Sequence, residues 1–174
     1  MRCLGIPAIS LLAFPVAAGA AGGEESAIVR TIGESAKAMS ELPKSRDRQS
    51  VLRFYTADYR GVTDGQWQTR ENLESVVGEI DENVKLGNPV RITNRATNIQ
   101  AFVTGALGWA TYDFYSKIEV LGEVLGEVER RCTGIYRKES AAWRIRHEHC
   151  STSWAAPPEE EPEAPPPGQD RVPG

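Results

Sequence analysis

The chain has two histidines, His147 and His149, and they stand one residue apart near the end of the segment Trp143-Arg144-Ile145-Arg146-His147-Glu148-His149-Cys150-Ser151. As a strand, this segment puts alternate side chains on opposite faces. Trp143, Ile145, His147 and His149 form the more apolar set and are expected to face inward, with Arg144, Arg146, Glu148 and Cys150 outward. Two imidazoles on one face can bind a metal, relay a proton or hydrogen-bond within a core. A metal needs a third ligand. The nearest carboxylate, Asp113, belongs to the less apolar face of its own segment, so no metal is expected. General acid–base work by His149 or His147 stays open. For His147 the plainer reading is a buried ring paired with an Asp or a Tyr hydroxyl.

The preceding segment, Arg131-Cys132-Thr133-Gly134-Ile135-Tyr136-Arg137-Lys138, reads as the partner strand of a hairpin turning at Glu139 to Ala142. If Glu139 stands opposite Trp143, Cys132 falls opposite Cys150. Cross-strand neighbours at that distance can form a disulfide, here on the outward face. A register slip of two residues would separate them. The same register gathers Arg131, Thr133, His147, His149 and Ser151 on the inward face. Ser151 beside His149 lacks an orienting acid and makes no nucleophilic triad. There is no phosphate loop, no dinucleotide fingerprint and no motif that implies a cofactor. Tyr55, Tyr59, Trp67, Tyr112 and Phe114 come from elements that would surround a cavity, and aromatic walls with a few polar groups are the usual lining of a small-molecule site. For any one of them taken alone, ordinary core packing is the plainer reading.

These residues need elements to place them. Glu24 to Leu42 has helical spacing (Ile28, Ile32, Ser35/Ala36, Met39) and is expected to stop at Pro43. A second helix is expected from about Arg46 to Tyr59, with Val51, Leu52, Tyr55 and Tyr59 on one stripe. Gly61 to Gly65 is a turn. A third helix opens at Thr69 as N-cap, carries the stripe Leu73, Val76, Val77, Ile80 and Val84, and ends at Gly87-Asn88-Pro89. Val90 to Val103, Leu107 to Ile118, Glu127 to Lys138 and Trp143 to Thr152 follow as strands. Helices followed by strands point to α+β: one antiparallel sheet with three N-terminal helices on one face.

The ends of the 174-residue chain are not core. Arg2, an uncharged apolar run from Leu4 to Ala18 and the small residues Ala18-Gly19-Ala20 read as a signal peptide over residues 1–20, cleaved after Ala20. The run is too short, and too broken by Pro7 and Pro15, to cross a bilayer as a helix. Residues 155–174 are Pro-, Glu- and Ala-rich and read as a disordered acidic tail, in which Glu159, Glu160, Glu161, Glu163 and Asp170 oppose only Arg171. The domain between, 21–154, is nearly neutral, which argues against a nucleic-acid partner. An exported protein meets an oxidising compartment, periplasmic or extracellular, where Cys132 and Cys150 can pair.

The hairpin Arg131 to Lys138 and Trp143 to Ser151, with Phe54-Tyr55-Thr56-Ala57-Asp58-Tyr59 and the turn at Asp64-Gly65 upstream, resembles the SnoaL-like proteins of the nuclear-transport-factor and ketosteroid-isomerase superfamily. The His147-Glu148-His149-Cys150-Ser151 ending is also similar to the association domain of calcium/calmodulin-dependent kinases, although that relative has Glu-Thr-Arg where Arg131-Cys132-Thr133 stands here. The resemblance implies a cone-like curved sheet wrapped around helices, a deep pocket, and a homodimer across the outer face of the sheet. Trp109, Tyr136 and the Arg144/Arg146/Glu148 stripe would be interface candidates. The superfamily's enzymes usually place an Asp or Glu base in the pocket, and neither Asp113 nor Asp58 can be matched to it. The expected function is an exported domain binding a small hydrophobic or aromatic molecule. The alternatives are an isomerase- or cyclase-like enzyme with a pocket histidine as base, or a non-catalytic oligomeric adaptor with its tail as recruiting arm.

Overall fold

The computed structural model describes residues 21–152. The expected signal peptide and acidic tail lie outside these residues. Helix α1 (Ala21–Ser45) is followed by a short helix α2 (Arg48–Leu52), strands β1 (Tyr55–Thr63) and β2 (Gln66–Thr69), and helix α3 (Arg70–Lys85). Four long strands complete the chain: β3 (Val90–Thr104), β4 (Leu107–Val120), β5 (Glu123–Glu139) and β6 (Ala142–Thr152). All six strands form one curved, unclosed sheet in the order β2-β1-β6-β5-β4-β3. The class is α+β, with the helices packed on the concave face. No helix among the described residues is long and apolar enough to cross a membrane.

Helix α1 lays Ile28, Ile32 and Leu42 into the core, each almost fully buried. It runs past Pro43 to Ser45, because a proline in the last turn removes only one backbone donor near an end that is already fraying. The second helix is far shorter than expected. It ends at Leu52, and Tyr55 to Thr63 is a strand paired parallel to β6. Tyr55 and Tyr59, four apart, share a face on a helix and on a strand alike, so their spacing does not separate the two. The Phe54–Tyr59 segment and the turn before Gly65 therefore build β1, with the turn confined to Asp64-Gly65. The β1–β6 pairing makes the sheet mixed: the other four pairings are antiparallel. Helix α3 starts as expected at Thr69, whose side chain accepts from the Asn72 amide while Asn72 reaches back to the Thr69 amide, a reciprocal cap.

The hairpin β5–β6 turns through Ser140 and Ala141. Lys138 faces Trp143 and Tyr136 faces Ile145, but Ile135 faces His147. Arg146 is the extra residue, a β-bulge. It donates to the Asp58 carbonyl at 2.6 Å and pairs with the Asp58 carboxylate at 3.1 Å, on a stretch of β1 that is itself irregular. A bulge reverses the facing of everything after it. Trp143 and Ile145 point into the core as expected, whereas Glu148 and Cys150 then take the concave face. His147, His149 and Ser151 are turned to the convex one.

Candidate functional site

On the concave face, Glu148 lies in a cross-strand row with Gly134 of β5 and Gly61 of β1. The two glycines open room for rings from the next row. A Cβ on Gly61 would stand 2.5 Å from the Tyr59 hydroxyl, and one on Gly134 would stand 2.6 Å from the Tyr136 hydroxyl. With only hydrogen there, the end of each ring passes close over its glycine. The Tyr59 hydroxyl donates to Glu148 Oε2 at 3.4 Å, and the Tyr112 hydroxyl donates to Oε1 through a short contact. Tyr55 packs edge-on against Tyr59 with centroids 4.9 Å apart. Tyr136 is fully buried and its hydroxyl has no hydrogen-bond partner.

These groups form the polar end of a cavity of about 330 Å³ between the concave sheet and helices α1 and α3. Its walls include Ile32, Met39, Leu73, Phe114 and the three tyrosines 55, 59 and 112. Cys132 and Cys150, directly opposed and joined by a disulfide, line the wall beside Glu148. Arg130 stands in the lining with its guanidinium engaged by Asp64 at 3.0 Å. Burial pushes the Glu148 carboxyl above the usual glutamate value of 4.5, against the two tyrosine hydrogen bonds that lower it. Tyr55, Tyr112 and Tyr136 are raised well above the usual phenol range by burial and then by the neighbouring Glu148 charge, and Tyr59 is raised for the same reasons. The phenols stay protonated and act as donors.

Tyr55, Tyr59, Tyr112 and Phe114 thus line the cavity, and the other expected pocket residues do not. Trp67 is 72% exposed on the short strand β2. Arg131 and Thr133 are exposed on the convex face, where Arg131 binds Asp113 at 3.2 Å. His149 is exposed with its Nε2 3.3 Å from Ser151 Oγ, and His147 stands opposite Ile135 on the same outer face. Neither histidine lines the cavity, because the Arg146 bulge turns both away. The disulfide pair faces the cavity and not the outside, for the same reason. Among the interface candidates, Tyr136 and Glu148 belong to the interior. Arg144 is tied to the Arg53 carbonyl and Arg146 to Asp58. Trp109 does stand on the convex face, half-exposed and stacked on Phe102 at 4.4 Å.

The carboxyl that lines the cavity is that of Glu148, and neither Asp58 nor Asp113 reaches it. Asp58 is held at the surface by Arg137 and Arg146, and Asp113 by Arg131 and Asn98. The signal for Glu148 was available on the partner strand. Cys132, Gly134 and Tyr136 form a smaller and more apolar set than Arg131, Thr133, Ile135 and Arg137. If Cys132 faces inward, so does Cys150, and Glu148 with it. Among the described residues, no group of three or more His, Cys, Asp or Glu side chains is placed to hold a metal.

The cone and its pocket have counterparts in known structures. A candidate aromatic ring hydroxylase from Novosphingobium aromaticivorans superposes with a TM-score of 0.64 at 14% identity, over 76% of this chain and 91% of that one. A candidate scytalone dehydratase from the same organism gives 0.58 at 12% identity, over 76% and 85%. A candidate calcium/calmodulin-dependent protein kinase II association domain from Xanthomonas campestris gives 0.53 at 14% identity, over 75% and 86%. At such identities these likenesses establish the fold alone. No curated protein matches the chain. The model of the SnoaL-like domain matches residues 34–155, which span Ser35, Ala36 and Met39 of the cavity wall on α1 and every strand, and the chain therefore belongs to the SnoaL-like domain family.

Proposed function

We propose that this is an exported domain that binds a small hydrophobic or aromatic molecule in the cone, with a polar end of that molecule directed at Glu148. The observation that carries the reading is a cavity with aliphatic and aromatic walls and a few polar groups, among them a carboxyl held by two tyrosine hydroxyls; Ser35, Thr63, Gln68, Thr69, Asn94 and Arg130 also line it. Export to a periplasmic or extracellular compartment rests on the apolar first twenty residues, and it suits a protein with the Cys132–Cys150 bond. Self-association through the convex face is supported by the stacked Phe102–Trp109 pair and by Ile135 beside Trp109, all half-exposed.

A library of small aromatic and alicyclic compounds, screened by melting temperature on the mature protein, tests the binding reading. A matching compound raises the midpoint, and Ser35→Phe, which fills part of the cavity, removes the rise. If no compound shifts the midpoint, the reading fails.

One observation favours a catalytic variant of this reading. A carboxyl raised by burial and held by two phenols is suited to move a proton at a bound molecule, with Tyr59 and Tyr112 steadying charge that develops there. On this reading Glu148 takes the acid–base role that the sequence offered to His147 or His149. The measurement is turnover of any compound found to bind: Glu148→Gln must abolish it while leaving the melting curve cooperative.

A further inference from the structure

The two charged side chains lining the cavity are unequal. Arg130 is neutralised by Asp64. Glu148 takes part in no ion pair among the described residues, and its oxygens face the phenols of Tyr112 and Tyr59. An ionised carboxyl in an apolar cavity without a counter-charge is costly, so a proton or a cation must balance it. The surroundings fit the second partner. Each carboxyl oxygen has a phenol within donating reach, an arrangement that suits the ionised form, whose two oxygens both accept. Tyr55, Tyr59 and Tyr112 also line the cavity beside the carboxyl, and aromatic faces attract cations through their quadrupoles. An anionic group ringed by tyrosines is the chemistry that recognises alkylammonium groups.

We propose that the molecule held in this cavity carries a positively charged amine or quaternary ammonium group, which pairs with Glu148 inside the tyrosine ring. The proposal rests on the binding reading above and narrows it to a ligand class. The groups facing Glu148 are Tyr59, Tyr112 and Tyr136, with Tyr55 next to Tyr59. The phenols stay neutral through the physiological range, so Glu148 is the one group there that changes charge on binding. Because burial raises its carboxyl, cation entry also displaces a proton from the fraction of molecules that hold one.

The test is titration calorimetry on the mature protein with matched pairs of equal shape: benzyltrimethylammonium against neopentylbenzene, and phenethylamine against its uncharged hydrocarbon counterpart. Each is run in two buffers of different ionisation enthalpy. The expected result is at least tenfold tighter binding of each cation than of its neutral partner. Proton release should accompany the cation only, and Glu148→Gln should lose both the preference and the release. Circular dichroism melting confirms that the variant is folded. If the neutral partners bind as well as or better than the cations, the ammonium class is overturned and the apolar pocket stands. If cations bind preferentially but Glu148→Gln keeps the preference, Glu148 is not the counter-charge and the proposal is overturned. If neither class binds, and the wider library also gives no shift, the pocket reading falls and this proposal with it.

Discussion

Two acids in the fold are treated in opposite ways. Asp81, on α3 and 7% exposed, is held by Arg46 at 3.1 Å, Arg48 at 2.9 Å and Lys85 at 3.0 Å. Hydrogen bonds from Lys85, Arg48 and Arg46 drive its carboxyl far below the usual range. Glu148, on β6, has phenols and no cation, and its carboxyl is raised. The first acid fastens the corner where α1, α2 and α3 meet. Its charge is fully matched, so there is nothing left for a ligand to do. The second is left unmatched at the wall of a cavity, which is where a protein keeps a group for an outside partner. The contrast separates an acid that holds the structure together from one that the structure holds ready.

The largest effect should come from removing the first acid. Asp81→Ala leaves Arg46, Arg48 and Lys85 crowded together without their shared anion, and the α1–α2 corner, where Arg46 already sits at φ 55°, loses its tie. The melting midpoint should fall by several degrees, further than for any single substitution at the cavity, and the pocket ligand should bind the surviving folded fraction unchanged. Loss of binding without loss of stability would break the contrast.

The setting of the second acid depends on the glycines beside it. Gly134→Ala puts a Cβ 2.6 Å from the hydroxyl of Tyr136, whose ring is fully buried and cannot swing away. The expected cost is about 1–3 kcal/mol, as for other overpacked interiors. Combining it with Tyr136→Phe removes the nearest atom and should recover part of the loss in urea denaturation. No recovery would mean that the clash lies with the ring carbons Cε2 and Cζ, 2.8 and 2.9 Å away, and not at the hydroxyl.

A smaller effect, of opposite sign to Asp81→Ala, is expected at Glu148 itself. Glu148 binds its proton more tightly folded than unfolded. Its contribution therefore favours the fold below the unfolded value of 4.5 and is lost as pH rises through the raised folded value. Asp81 does the reverse: its contribution is present above 3.8 and disappears as pH falls through its depressed folded value. Glu148→Gln should match the wild type near pH 4 and be more stable at neutral pH, by on the order of 1 kcal/mol. Melting curves across this range check it. A variant less stable than wild type at neutral pH would show that the buried charge is already compensated.

The legible parts of the molecule were those whose signal is local. The Thr69 cap, the stripe of α3 and the four long strands all follow from neighbours in sequence, whereas the Cys132–Cys150 opposition, expected from Glu139 facing Trp143, is reached by another route: Glu139 faces Ala142 and the Arg146 bulge supplies the one-residue shift. Two features were not legible. Tyr55 to Thr63 was expected to be mostly helix, because residues four apart share a face in both structures and its strand partner, β6, lies about ninety residues later in the chain. The site was inverted by a single residue. Strict alternation from Trp143 places the histidines inside and Glu148 outside, and the Arg146 bulge reverses that order through its contacts with Asp58 on β1. No pattern within β6 alone contains this information.

The inversion itself gives the smallest expected effect and the sharpest use of it. His149 lies on the convex face, exposed, with Ser151 Oγ as its side-chain hydrogen-bond neighbour and Thr133 opposite it on β5. Its ring is separated from the cavity by the sheet. His149→Ala should leave ligand affinity within about twofold and the melting curve nearly unmoved, since exposed substitutions away from a packed or charged feature change little. Glu148→Gln, one residue away, should change affinity severalfold or more. Loss of affinity from His149→Ala with none from Glu148→Gln would mean that β6 runs without its bulge, with alternation unbroken and the histidines inside. The phase of one strand, and with it the choice between imidazole and carboxylate chemistry, is therefore decided by comparing two adjacent substitutions.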